Sequence, residues 1–257
     1  GHREVLSRFA ELAADGHALY PQVACRPLQH EMNFAAPYDF ARRLPLFDPI
    51  SVADHGEKKR MYADAGFREQ FRELMSEGGD DNEDTVFMRR AFNLMSVLES
   101  PRDPSLEGRK LVDIAAEGNR HPADLTLDLV IESDLAIRFM IPLANSDEDE
   151  VEEVLRDPNT VLALSDAGAH LSQLCDACYS THLLGHWVRE RGSFTLEEAV
   201  QMLTSQPAHV MGITDRGCLA EGLAADVVVF DPQTVGAGRE RRVFDLPAGA
   251  DRLIVDA

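Results

Sequence analysis

The 257-residue sequence predicts a mixed α/β fold, and three observations carry that expectation. Helix-period apolar patterns alternate with short apolar runs of strand type along most of the chain. The stretch AIRFMIPLANSDEDEVEEVLRDPNTVLALSDAG, ending at Gly168, reads strand, acidic helix, strand, which is a βαβ unit with parallel strands and a right-handed crossover. A hydrophobic content of 44% over this length suffices for one α/β barrel, or for one domain with a small appendage.

The elements follow in order. Arg3 to Asp15 sets Val5, Leu6, Phe9, Leu12 and Ala13 on one helical face, Gly16 stops it, and His17 to Ala24 reads as a short strand. The chain thus opens helix first, as if entered midway through a βα series. From Cys25 to about Pro104 the pattern changes: Pro37, Pro45 and Pro49 interrupt it, Met61 to Met75 and Thr85 to Leu98 read as helices, and Glu77 to Asp84 is an acidic loop. This is an insertion between strands, either a lid over a site or a surface decoration. Ser105 to Asn119 and His121 to Ser133 are two further helices, the second with Pro122 in its first turn. Ile137 to Leu143 and Thr160 to Ser165 are strands flanking a helix over Asp147 to Asp157. Helices over about Ser172 to Arg191 and Thr195 to Met211 come next, the latter opened by a Thr195–Glu198 capping box. The chain ends in short β-branched strands, in GCLAEGLAADVVVFDP and RLIVDA.

Composition excludes several functions. Acidic residues outnumber basic ones by 45 − 25 = 20, which disfavours a nucleic-acid backbone as partner. No apolar run approaches the roughly 20 residues of a membrane span, so no membrane partner is expected. Four cysteines are too few for a small disulfide scaffold and suggest a reducing, cytoplasmic setting.

Asp166 stands at the mouth of a buried strand, in VLALSDAGAHL. Ser-Asp-Ala-Gly is ordinary turn chemistry, and Asp166 or Ser172 suits a helix cap. The carboxyl ends of strands are also where α/β folds place their sites, so a functional carboxylate fits equally well.

The line NTVLALSDAGAHLSQ, followed by the motif from Thr204 to Asp231 with Gly217, Gly222 and Asp226 at familiar spacings, resembles the amidohydrolase superfamily. Within it, the chain resembles the N-acyl-D-amino-acid deacylases, the D-aminoacylase-like proteins of amidohydrolase family 3. The likeness runs from about Asp134 to the end, and more loosely over Arg3 to Arg26. It implies the late part of a distorted (β/α)8 barrel over 1–212, with the helical insertion at about 26–104, and a small β-sandwich segment over 213–257. It implies hydrolysis of an amide C–N bond, with an N-acylated amino acid as the small-molecule substrate. It implies Zn²⁺ as cofactor and Asp166 as both metal contact and general base. The family's remaining ligands are a His-x-His pair and histidines on middle strands. No His-x-His occurs here, so the chain corresponds to a C-terminal portion, and the alternative is a catalytically incomplete piece that acts as a structural or self-associating module.

Four more residues are candidates for substrate binding. Arg26 follows a strand end, where a guanidinium fork grips a carboxylate or anchors a loop; Gln22 and Asn145 lie at strand ends; His170 follows Asp166 by four residues. Cys175, Cys178, His182 and His186 share one expected helix, where packing is favoured over a zinc site, because one straight helix cannot close a tetrahedron.

Overall fold

The computed structural model describes residues 1–78, 82–163 and 165–256. In chain order the elements are α1 (His2–Ala14), β1 (Gln22–Val23), β2 (Leu28–Asn33), α2 (Tyr38–Arg43), α3 (Asp48–Val52), α4 (His55–Ala63), α5 (Ala65–Met75) and α6 (Glu83–Leu94). Then come β3 (Ser96–Glu99), α7 (Leu111–Glu117), α8 (Pro122–Glu132), β4 (Arg138–Ala144), α9 (Glu148–Arg156) and β5 (Val161–Leu162). The rest are α10 (Tyr179–His182), which runs on as a π-helix over Leu183–Glu190, then α11 (Leu196–Leu203), α12 (Ser205–Val210), β6 (Glu240–Val243) and β7 (Arg252–Val255). The mixed α/β class is therefore met. The chain divides into two compact units, Gly1–Leu28 with Ala144–Ala257, and Gln29–Leu143.

The Gln29–Leu143 unit is built on an aromatic core. Phe34, Phe40, Phe47, Tyr62, Phe71, Phe92 and Phe139 are fully or almost fully buried, and Phe40 stacks on Phe47 at 4.9 Å between ring centroids. The Tyr62 hydroxyl donates to Phe34 O at 2.8 Å, which removes the cost of burying it. The expected helix over Met61 to Met75 is two helices, because Asp64 leaves helical geometry and its side chain caps α5 by accepting from Phe67 N. Thr85 to Leu98 stops at Leu94 and turns into β3. Ser105 to Asn119 shrinks to α7, since Gly108 sits at φ +82°, outside helical space. The unit also reaches past the expected insertion end near 104, because Leu111, Leu127, Val130 and Phe139 pack into the same core. Gly79, Asp80 and Asp81, in the expected acidic loop, lie outside the described residues.

Strand pairing departs from the expected βαβ unit. β4 is the middle strand of a three-stranded sheet of order β2-β4-β3, antiparallel to β3. β5 instead pairs in parallel with β1, Gln22 opposite Val161 and Val23 opposite Leu162. Both neighbours of β4 are occupied, while β1 offers open backbone groups: Val161 N donates to Pro21 O at 3.0 Å and Ala163 N to Val23 O at 3.3 Å. Among the described residues the strands form three separate small sheets and no closed barrel.

The core of the Gly1–Leu28 and Ala144–Ala257 unit gathers Cys25, Val151, Leu155, Leu162, Leu183, Trp187, Phe194 and Ala199. Asp147 caps α9 by accepting from Asp149 N and Glu150 N, and the Thr195–Glu198 capping box opens α11 as expected. The expected helix from Ser172 begins only at Tyr179. The residues before it form turns, with Gly168 at φ +95° and His170 at φ +47°. The expected sandwich segment is reduced to the antiparallel β6–β7 hairpin. Val227, Val228 and Val229 are 60%, 84% and 91% exposed and join no strand, because β-branched residues stabilise a strand only when a neighbour pairs with it.

Candidate active-site loop

The loop after β5 is closed by Asp176, and Asp166 is left open. Ser165 Oγ donates to Asp176 Oδ1 at 2.9 Å, and Asp166 N donates to Asp176 Oδ2 at 3.0 Å. Ala167 N donates to Ser165 Oγ at 3.1 Å, and Ala169 N to Asp166 O at 3.0 Å. The turn therefore uses the Ser165 hydroxyl and the Asp166 backbone. The Asp166 carboxylate is half-buried and makes no hydrogen bond or ion pair among the described residues. Leu164, inside the expected strand, lies outside the described residues.

Arg26 holds the other end of this loop. Its Nη1 reaches Cys178 Sγ at 2.6 Å and Cys175 O at 3.5 Å, and its Nη2 pairs with Glu240 Oε1 at 3.0 Å. Both terminal nitrogens are thus engaged within the fold, while the buried Nε has no partner among the described residues. Of the two roles open to Arg26, the contacts seen are those of a loop anchor. Burial pushes the Glu240 carboxyl up from its ordinary range, with Arg26 opposing and Asp176 adding to the rise. Burial likewise raises the Cys178 thiol against the pull of Arg26, and pushes Cys25 up to about 12.

The other expected substrate contacts are dispersed. Gln22 is exposed on β1, opposite Val161. Asn145 is exposed just past β4, in left-handed backbone at φ +56°. His170 is exposed, and its carbonyl accepts from Gln173 N and Leu174 N. Asp166 and Arg26 are brought to one loop, Gln22 to the neighbouring strand, and Asn145 is not drawn in by any contact described.

The cysteine and histidine series also separates. Cys175 and Cys178 precede the helix, and the rings of His182 and His186 stack at 4.9 Å. His186 is held by Glu148 at 2.9 Å and Glu190 at 3.1 Å, and burial lowers His182 to about 4. Among the described residues no group of three or more His, Cys, Asp or Glu side chains is placed to hold a metal ion. Zinc wants about three protein ligands. The donors among the described residues do not complete a cage.

Two pockets are lined by other residues. An open one of about 890 Å³ lies in the Gln29–Leu143 unit beside Arg72, Glu73, Ser76 and His121. Its Ser76–His121 contact, at 3.2 Å, is not a nucleophile and base. His121 Nδ1 accepts from Ala123 N and the Ser76 hydroxyl donates to Arg72 O, so the remaining proton sits on Nε2 and points at Ser76. The second pocket, about 640 Å³ and mainly apolar, is lined by Leu184, Val200, Leu203, Val227, Phe230 and Val235 among others. Asp166 lines neither.

Asp176 and Glu240 are the residues sequence reasoning missed. Asp176 lies in the segment read as helix, where it passes for a solvent-facing acid, and Glu240 reaches Arg26 from 214 positions away. The one local signal was an acid between two cysteines close behind a Ser-Asp turn.

The sequence pattern of the amidohydrolase family matches residues 82–254. The chain belongs to the amidohydrolase family. D-aminoacylase of Alcaligenes xylosoxydans xylosoxydans is 37% identical over 134 residues, covering 51% of this chain and 26% of that enzyme. N-acyl-D-glutamate deacylase of the same organism is 46% identical over 80 residues, 30% of this chain and 16% of that one. Among solved structures, N-acyl-D-glutamate deacylase from Bordetella bronchiseptica, complexed with zinc and a phosphonate inhibitor, aligns with a TM-score of 0.42 at 20% identity over 91% of this chain and 38% of that one. A D-aminoacylase crystal structure aligns with a TM-score of 0.33 at 31% identity over 54% of this chain and 28% of that one. This amidohydrolase chain thus spans less than half the length of each of these relatives.

Proposed function

We propose that the chain serves hydrolysis of an amide C–N bond in an N-acyl-D-amino acid, with Asp166 as the acid–base group. The observation that carries this reading is the half-buried Asp166 carboxylate, free of partners among the described residues, on a loop whose turn is closed by other groups. A carboxylate in that state is available to take a proton from an attacking water and return it to the departing amine. Family membership and the names of the relatives support the bond and the substrate class.

On this reading the chain contributes the later strands of a (β/α)8 barrel over 1–212, with the C-terminal hairpin belonging to a small sandwich over 213–257. Zinc would supply an activated water in such an enzyme, but the donors among the described residues do not complete its site. That incomplete donor set is the observation behind the second reading, a catalytically incomplete chain that acts as a structural or self-associating module.

The test is hydrolysis of N-acetyl-D-amino acids by the purified chain with zinc in excess, beside Asp166→Asn, with bound zinc measured. Turnover that falls about 100-fold or more in Asp166→Asn supports the first reading. Turnover indifferent to Asp166 overturns it, and absent turnover with substoichiometric zinc, together with a concentration-dependent oligomer by light scattering, supports the second.

A further inference from the structure

We propose that Asp176 is a positioning residue, which aims the Asp166 side chain by binding the Ser165 hydroxyl and the Asp166 amide with its two carboxylate oxygens. The functional value of that aim rests on the reading of Asp166 given above, whereas the positioning itself does not.

Asp176 is 8% exposed, and a buried carboxylate is tolerated only where hydrogen bonds replace its water. Among the described residues its two hydrogen bonds go to two consecutive residues, one to each oxygen, at 2.9 and 3.0 Å. Charge-assisted bonds of this kind are about twice as strong as neutral ones. Ser165, held in this way, passes its oxygen on to Ala167 N, so the backbone is fixed on both sides of Asp166. Backbone bonds fix a residue's position while leaving its side chain unengaged, and a reacting carboxylate needs that combination.

Asp176 is itself fixed from the core. Arg26 holds Cys175 O and Cys178 Sγ, which bracket Asp176, and Glu240 holds Arg26. The residue before Arg26, Cys25, is fully buried, and its carbonyl accepts from Trp187 Nε1 at 2.5 Å. The β6–β7 hairpin pins the middle of the loop, with Leu253 N donating to Leu171 O at 2.8 Å and Arg242 Nη1 to Ser172 O at 3.1 Å. Asp166 therefore inherits its place from Trp187, Arg26 and Asp176 in turn. The absence of regular structure between Ala167 and Cys178 does not make the loop loose.

The experiment uses the full chain with Asp176→Ala and Asp176→Asn. Asparagine keeps a carbonyl oxygen for Asp166 N and places its amide against Ser165 Oγ, which can accept, so it restores both contacts without the charge. Hydrogen exchange of the Asp166 amide is read by NMR, with Leu183 and Trp187 amides as core controls. In Asp176→Ala the Asp166 amide exchanges about tenfold faster or more while the core controls hold, and Asp176→Asn returns it to within about threefold of the parent. Where the parent hydrolyses substrate, kcat falls about tenfold or more in Asp176→Ala with KM within about threefold, and asparagine rescues kcat. Unchanged exchange at Asp166 in Asp176→Ala, or alanine and asparagine behaving alike, overturns the positioning role. Loss of the core controls together with Asp166 would show a merely structural residue and overturns it as well. Hydrolysis insensitive to Asp166→Asn would sink the functional reading and leave the exchange result standing.

Discussion

Arg26 Nη2 donates to Glu240 Oε1 at 3.0 Å, joining the strand end after β1 to β6 across 214 positions. Both side chains are about one-seventh exposed, so the pair sits mostly out of water.

Breaking that pair exposes a pH dependence. Burial raises the Glu240 carboxyl in the fold, so between its unfolded and folded values the native state holds a proton that the unfolded state releases. Stability from this group consequently falls as pH rises through that window. Arg26→Ala removes the opposing cation and extends the window upward. We expect a loss of about 3 kcal/mol at pH 8 and clearly less at pH 5, measured by urea unfolding followed by circular dichroism. Equal losses at both pH values would show that Glu240 does not carry the effect.

His182 acts in the opposite sense. Burial first, then His186 and Arg26, lowers it from 6.5 to about 4. Between those values the unfolded chain binds a proton that the native state refuses, so stability is full above about 6.5 and is lost as pH falls toward 4. Allowing for its partial exposure, the loss by pH 5 is about 1–2 kcal/mol. His182→Gln should flatten this part of the profile between pH 7 and pH 5, and an unaltered slope would place the acid sensitivity elsewhere.

What was legible beforehand follows from range. The α9 cap at Asp147, the Thr195–Glu198 box and the helix over His2–Ala14 depend on residues three or four apart, and sequence displays those directly. The mixed class followed from them. The β1–β5 pairing depends on a choice between open backbones 139 positions apart, as Gln22 and Val161 show, and periodicity carries no information about that choice. Val227 to Val229 display the opposite failure: strong strand propensity without a pairing neighbour. At the site, Asp166 could be singled out because it terminates a strand. Asp176 could not, because its meaning depends on a loop conformation that the helical periodicity of its surroundings concealed.

Close packing at Gly185 gives a third prediction. A Cβ built there would lie 2.8 Å from Gly236 Cα and 3.0 Å from Val235 O, both backbone atoms that cannot swing aside. Gly185→Ala should cost about 2 kcal/mol in urea unfolding. Among the described residues Gly236→Ala meets only the flexible end of Arg189, at 3.3 Å, and should cost about 0.5 kcal/mol or less. Equal costs would mean that the π-helix shifts to absorb the methyl.

In the Gln29–Leu143 unit, Phe47 is fully buried, stacked on Phe40 and edge-on to Phe67 at 5.4 Å and Phe71 at 5.5 Å. Phe47→Ala should cost about 3–5 kcal/mol and speed hydrogen exchange in α5, whereas Phe47→Leu, which keeps most of the volume, should cost less than half as much. Indistinguishable effects of the two would point to ring geometry rather than volume.

The single tryptophan, Trp187, lies in the core shared by Cys25, Leu183 and Phe194, and the aromatic core around Phe34 and Phe47 has none. Tryptophan fluorescence therefore reports directly on one of the two cores. A substitution in the phenylalanine cluster therefore needs a probe seeded on that side if its local effect is to be read directly.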